Sequence, residues 1–177
     1  MIQAWRETWN SRAHAITNPT FPFGFVQLST NEKSDTVVGG FSLIRWHQTY
    51  DYGYIPNRYL ANVFMGVAME LRDDPHGIHP RTKNVVRYRL SRAALAIAYG
   101  QTIEYSSPIV HKVQVNRATI DITYKSVTGI DLRNTAGFEV CCESEGASCT
   151  NDNVWVPSPA SLTDALTIAL TLPSSCR

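Results

Sequence analysis

The chain has 177 residues, 44% of them hydrophobic, and its 16 basic side chains face 15 acidic ones for a formal net charge of +1. A balance this close, with no run of like charges, excludes the electrostatic footprint of a nucleic-acid binder and predicts no membrane partner. The longest apolar stretches, such as Val63–Met69, fall well short of the ~18 residues of a helical span, and 4 Trp, 8 Tyr and 6 Phe supply a core that argues against disorder.

Met1–Asn10 sets Ile2, Trp5 and Trp9 on one face and reads as the start of an amphipathic helix. A secretory leader would place a basic segment before an apolar one. Phe23–Leu28 and Val63–Leu71 are short, nearly continuous apolar runs, the pattern of parallel strands buried on both faces. Between them Phe41–Thr49 supplies the crossover helix that a parallel pair requires, with Pro56 beyond its end. Thr82 stands as the N-cap of Lys83–Tyr99, whose stripe of Val86, Leu90, Ala93, Ala94 and Ile97 ends at Gly100. Helix, strand, helix, strand, helix is a piece of a doubly wound α/β sheet.

From about Ile103 the period changes. Val113 and Val115, then Ile120, Ile122 and Tyr124, alternate about Asn116-Arg117, and Leu166, Ile168, Leu170 and Leu172 alternate near the end. This part is β-rich and sandwich-like, and the boundary falls between Gly100 and Glu104. All four cysteines, Cys141, Cys142, Cys149 and Cys176, lie here without zinc-ligand spacing, so disulfides and an oxidising compartment are predicted. Four cysteines allow three pairings. The adjacent Cys141 and Cys142 project to opposite faces of a strand and are expected to bond elsewhere than to each other.

Chemistry concentrates in the loop Arg72-Asp73-Asp74-Pro75-His76-Gly77-Ile78-His79-Pro80, after the second strand, where open α/β sheets bind their ligands. An aspartate a few residues upstream of a histidine can fix its tautomer and stabilise its imidazolium. The plain alternative is a solvated loop whose acids cap the next helix. A metal site from Asp74, His76 and His79 is the weakest option, because its ligands come from one short loop. Arg45, Gln48 and Thr49 share a helix face best suited to structural polar contacts. Tyr50, Tyr52, Tyr54 and Tyr59 form an aromatic loop that either stacks on sugar rings or covers the sheet. No Gly-x-Ser-x-Gly elbow, Gly-rich phosphate loop or activated cysteine supplies a nucleophile.

Phe21-Pro22-Phe23-Gly24-Phe25-Val26-Gln27-Leu28, Ile44-Arg45-Trp46-His47-Gln48-Thr49, Ile78-His79-Pro80-Arg81-Thr82-Lys83 and Ala96-Ile97-Ala98-Tyr99-Gly100 together closely resemble sialate O-acetylesterase. The resemblance runs strongly from Ile2 to about Gly100 and more weakly through Cys141-Cys142, Cys149 and Trp155. It implies a serine esterase of the SGNH-hydrolase type that removes O-acetyl groups from sialic acids, in lysosomes or outside cells, with no cofactor. By that likeness, residues 1–102 are the C-terminal part of a three-layer α/β/α esterase domain and residues 103–177 a β-rich segment. His79 matches the family's catalytic histidine, and Asp74, with Asp73 as fallback, its orienting acid. The family's nucleophilic serine and oxyanion-hole residues fall upstream of Met1, so the resemblance implies a chain missing the N-terminal half of its catalytic domain and inactive alone. Two other readings are a non-catalytic sialoglycan-binding module and a structural module.

Overall fold

The computed structural model describes residues 1–31, 40–73, 77–142, 149 and 155–176. It divides into two compact units, residues 1–105 and 106–177. The first unit runs α1 (Ile2–Arg12), β1 (Phe23–Gln27), α2 (Phe41–Gln48), β2 (Val63–Val67) and α3 (Lys83–Ile97). β1 and β2 pair in parallel, from Phe23 opposite Val63 to Gln27 opposite Val67, as predicted, but β1 is not buried on both faces: Gly24 and Val26 are exposed. α3 lies close on β2 because Gly66 has no side chain: a Cβ there would stand 2.8 Å from Leu90 Cγ and 3.3 Å from the Val86 carbonyl. Val63, Ala68, Val86 and Ala93 are buried.

The packing of α1 differs from its sequence pattern. Trp5 and Trp9 rest on Phe23 and Phe21, with ring centroids 5.6 and 5.3 Å apart, yet remain 41% and 51% exposed. The buried residue of the helix is Arg6, at 2% exposure. Its Nε and Nη2 donate to the Phe21 carbonyl at 3.1 and 2.5 Å, and its Nη1 to the Ala61 carbonyl at 3.0 Å. These carbonyls precede β1 and β2, and a guanidinium with several fixed donors satisfies them together. Burial lowers the Arg6 pKa from its ordinary value.

Three expectations about this unit need adjustment. β2 stops at Val67, not Leu71, because the chain turns and Leu71 N–H donates to the Ala68 carbonyl at 3.1 Å. Thr82 occupies the N-cap position of α3, but its backbone, at ψ 71°, is outside the extended geometry of a capping residue and its hydroxyl makes no cap bond. α3 ends at Ile97, two residues short of Tyr99. Gly100 nevertheless closes the helix end, at φ +68°, a conformation that glycine adopts without strain, and Gln101 N–H then reaches the Leu95 carbonyl at 3.0 Å.

The second unit holds an antiparallel sheet in the order β3 (Ile109–Val115), β4 (Thr119–Lys125), β8 (Thr167–Thr171), β7 (Ala160–Leu162), and a smaller pair of β5 (Glu139–Cys141) with β6 (Trp155–Pro157). The hairpin at Asn116-Arg117 forms as its alternation predicts, with Val115 opposite Ile120. Alternation does not decide burial, however. β8 lies between two strands and buries Ile168, Ala169 and Leu170 in succession, whereas β3 is an edge strand whose Val113 and Val115 are exposed. Val140, Ala160, Ile168, Leu170 and Leu172 form the core, with Ile120, Ile122 and Tyr124 packed on it. Burial raises the Tyr124 pKa above its ordinary value. The disulfides are Cys141–Cys149 and Cys142–Cys176, so the adjacent cysteines bond to separate partners, as expected.

Candidate active site

Val26, Leu28 and Ser29 at the carboxyl end of β1, Ala68 just past β2, Ile78, His79 and Pro80 of the following loop, and Lys83 and Val86 at the start of α3 line a cleft of about 410 Å³. It lies at the carboxyl ends of both parallel strands, the general ligand position of an open α/β sheet. Side chains hold these ends in place. Gln48 of α2 accepts from Leu28 N–H at 3.0 Å and donates to the Val26 carbonyl at 3.2 Å, two bonds that a neighbouring strand would make, and Arg45 Nη1 reaches the Leu28 carbonyl at 3.5 Å. Across the sheet, Arg89 donates to the Val67 carbonyl at 2.6 Å and pairs with Glu70.

His79 is exposed at the cleft, directly before the buried Pro80. Asp73, on the near side of the loop, accepts from Arg81 N–H at 2.7 Å and from Arg81 Nε at 3.2 Å. The Arg81 backbone bond, aided by its guanidinium, lowers the Asp73 pKa. Asp73 thereby ties together the two ends of the loop that carries His79. Asp74 and His76 lie outside the described residues. Among the described residues no group of three or more His, Cys, Asp or Glu could hold a metal ion. Among the described residues the structure brings together an Asp–His pair that the sequence did not single out: His47 Nδ1 and Asp51 Oδ1, 2.5 Å apart and both more than half exposed.

Two other features escaped the sequence. Ser29 is 2% exposed, lines the cleft, and its Oγ has no hydrogen-bond partner among the described residues. Its signal was a small polar residue ending an apolar strand. The second is the order in the loop after α2, where Thr49 is fully buried, its Oγ1 donating to the Trp46 carbonyl at 2.7 Å and accepting from Gly53 N–H at 2.9 Å. Asn57 donates to the carbonyls of Thr49 and Tyr54 at 2.8 and 2.9 Å and accepts from the amides of Tyr59 and Leu60, each at 3.0 Å. The polar face of Arg45, Gln48 and Thr49 announced the contacts of Thr49, but not those of Asn57.

An exposed imidazole beside a mostly apolar cleft can take a proton from a bound group and return it. Ser29 is the one hydroxyl among the described lining residues, and no base is bonded to it. The cleft thus sets an imidazole beside an apolar wall.

Residues 110–177 match the sialate O-acetylesterase C-terminal domain. The chain as a whole is 38% identical over 185 residues to the sialate O-acetylesterase of Pongo abelii, 38% over 184 to that of Homo sapiens, and 36% over 178 to that of Mus musculus. Along its full length the chain is thus similar to a C-terminal part of sialate O-acetylesterases. The matches cover 97 to 100% of this chain and 32 to 34% of those proteins, so the chain spans about a third of the length of the curated relatives it matches. A carbohydrate acetylesterase from Xanthomonas citri has a similar fold, with a TM-score of 0.65 over 98% of this chain and 37% of that one, at 22% identity. In this sialate O-acetylesterase homologue the family domain falls within the disulfide-bonded β unit, and the cleft belongs to the α/β unit before it.

Proposed function

We propose that this chain is the histidine-bearing C-terminal part of a serine esterase that removes O-acetyl groups from sialic acids. His79 is the general base that deprotonates a serine supplied by another part of the enzyme and then protonates the leaving alcohol, with Asp74 orienting its imidazole. Residues 1–102 complete a three-layer SGNH-type sheet, residues 103–177 form an appended β segment, and the enzyme works in an oxidising compartment, lysosomal or extracellular. The observation that carries this reading is the position of His79 at a cleft on the carboxyl ends of two parallel strands. The two disulfides support the compartment.

In this reading the 177-residue chain alone lacks both nucleophile and oxyanion donors, and loss of a triad nucleophile costs on the order of 10⁶ in turnover. The test compares hydrolysis of an O-acetylated sialic acid by the 177-residue chain and by the longest natural polypeptide that carries it. The reading expects activity from the longer polypeptide only. Hydrolysis by the 177-residue chain at a comparable rate would defeat it.

A further inference from the structure

The loop after α2 carries an arginine that the triad reading leaves unused. The Arg58 guanidinium sits over the ring of Tyr59, 4.6 Å from its centroid, and 5.8 Å from that of Tyr52. It is exposed and has no acidic partner among the described residues. The rings beneath it are ordered among themselves, with Tyr50 against Tyr59 at 4.7 Å and Tyr52 against Tyr59 at 6.3 Å. All three tyrosines are exposed at the surface, at 58%, 36% and 47% for Tyr50, Tyr52 and Tyr59.

The backbone under this cluster is held against its own preference. Tyr50 and Asp51 both adopt φ +59°, a left-handed conformation that non-glycine residues seldom take in succession. The buried Thr49 and the four bonds of Asn57 keep it there. Strain maintained by surrounding bonds, presenting side chains to solvent, is a mark of a binding surface. An aromatic face stacks on the apolar face of a sugar ring, and a planar guanidinium fixed in direction matches a carboxylate with two parallel donors. The same loop starts at Gln48, whose side chain contacts the Leu28 backbone at the cleft wall.

We propose that Arg58, stacked on Tyr59 and Tyr52, binds the carboxylate of an acidic sugar and makes the esterase selective for acetylated sugars that bear one. This rests on the esterase reading and adds to it the residue that selects an acidic sugar over a neutral one.

The test uses the longest natural polypeptide carrying these residues and two substrates, an O-acetylated sialic acid methyl glycoside and its carboxamide. The expected result is a KM lower for the acid by roughly 10-fold or more, a preference that Arg58→Gln abolishes by raising that KM alone. Its kcat, and its hydrolysis of a small neutral aryl acetate, stay at wild-type levels. Arg58→Lys keeps the charge without the planar fork and should retain part of the preference. An unchanged KM in Arg58→Gln, or an equal loss on all three substrates, would overturn the proposal. Calorimetric titration of the de-O-acetylated sialoside and its carboxamide separates the two readings. A wild-type protein that binds the acid through Arg58 but hydrolyses no acetate removes the esterase reading and leaves the carboxylate site standing. Equal binding of acid and amide removes the site whatever the hydrolysis shows.

Discussion

In the second unit β8 lies between β4 and β7, its side chains Ile168, Ala169 and Leu170 are buried in a row, and two disulfides close the chain around the core. In the first, β1 and β2 have only each other as described sheet partners, and side chains satisfy the backbone around them: Arg6 before the strands, Gln48 and Arg89 at their carboxyl ends. The first unit also leaves Val26, Leu43, Ile44, Trp46 and Met69 more than 40% exposed. The candidate site therefore lies in the unit whose strand ends are shaped by individual polar side chains. The β unit derives its order from a contiguous apolar core and covalent links. Polar anchors that fix strand ends also fix the residues lining the cleft between them, so positions that stabilise the first unit are expected to influence its chemistry, while those of the second are not.

The comparison breaks most visibly through the disulfides. Replacing Cys142 and Cys176 together by serine opens a bridge with a sequence separation of 34, and the chain-entropy model puts the loss at about 4 kcal/mol, against about 2.5 kcal/mol for Cys141–Cys149 with its separation of 8. Hydrogen exchange should accelerate across β4 and β8 and stay unchanged in β1 and β2; equal acceleration in both would show that the units are not independent. Arg6→Ala is the counterpart in the first unit. It removes a buried guanidinium together with its bonds to the Phe21 and Ala61 carbonyls and should cost about 3 kcal/mol, read as a lower denaturation midpoint for β1 and β2 with no change in the β unit.

The smallest effect concerns pH. The Asp73 pKa is depressed by its bonds to Arg81. A carboxylate with a depressed folded pKa stabilises the folded form above its unfolded pKa, and the contribution is lost as pH falls through the folded value. The loop should therefore keep its Asp73–Arg81 closure through the mildly acidic range and release it only below the ordinary carboxylate range. A carboxyl-carbon NMR titration of Asp73 checks this, and a midpoint at or above the ordinary value would contradict it.

Much of the framework was legible because its signals are periodic. The apolar runs marked β1 and β2, the 3.6-residue stripe marked α3, and alternation about Asn116-Arg117 marked the hairpin. Periodicity does not say which strands are central: Val113 and Val115 alternate as Ile120 and Ile122 do, yet lie exposed on an edge strand. Nor does it report a charged side chain turned inward: Arg6, between two tryptophans, reads as solvated until the carbonyls of Phe21 and Ala61, far off in sequence, are brought to it. The place of the His79 loop, after the second parallel strand and at a cleft on the strands' carboxyl ends, was legible from the order of the elements. The polar role of Gln48 was legible from the face it shares with Arg45, whereas the burial of Ser29 and the stacking of Arg58 depend on contacts in irregular segments, which no local pattern encodes.

The central claim is that His79 is the base of an acetylesterase. The most direct measurement is kcat/KM for an O-acetylated sialic acid in the longest natural polypeptide carrying this sequence, compared with its His79→Ala variant. The account predicts a fall of at least about 10³-fold with the fold intact by circular dichroism, in line with the removal of a triad member. A His79→Ala enzyme that still hydrolyses the substrate within a few-fold of wild type would contradict it.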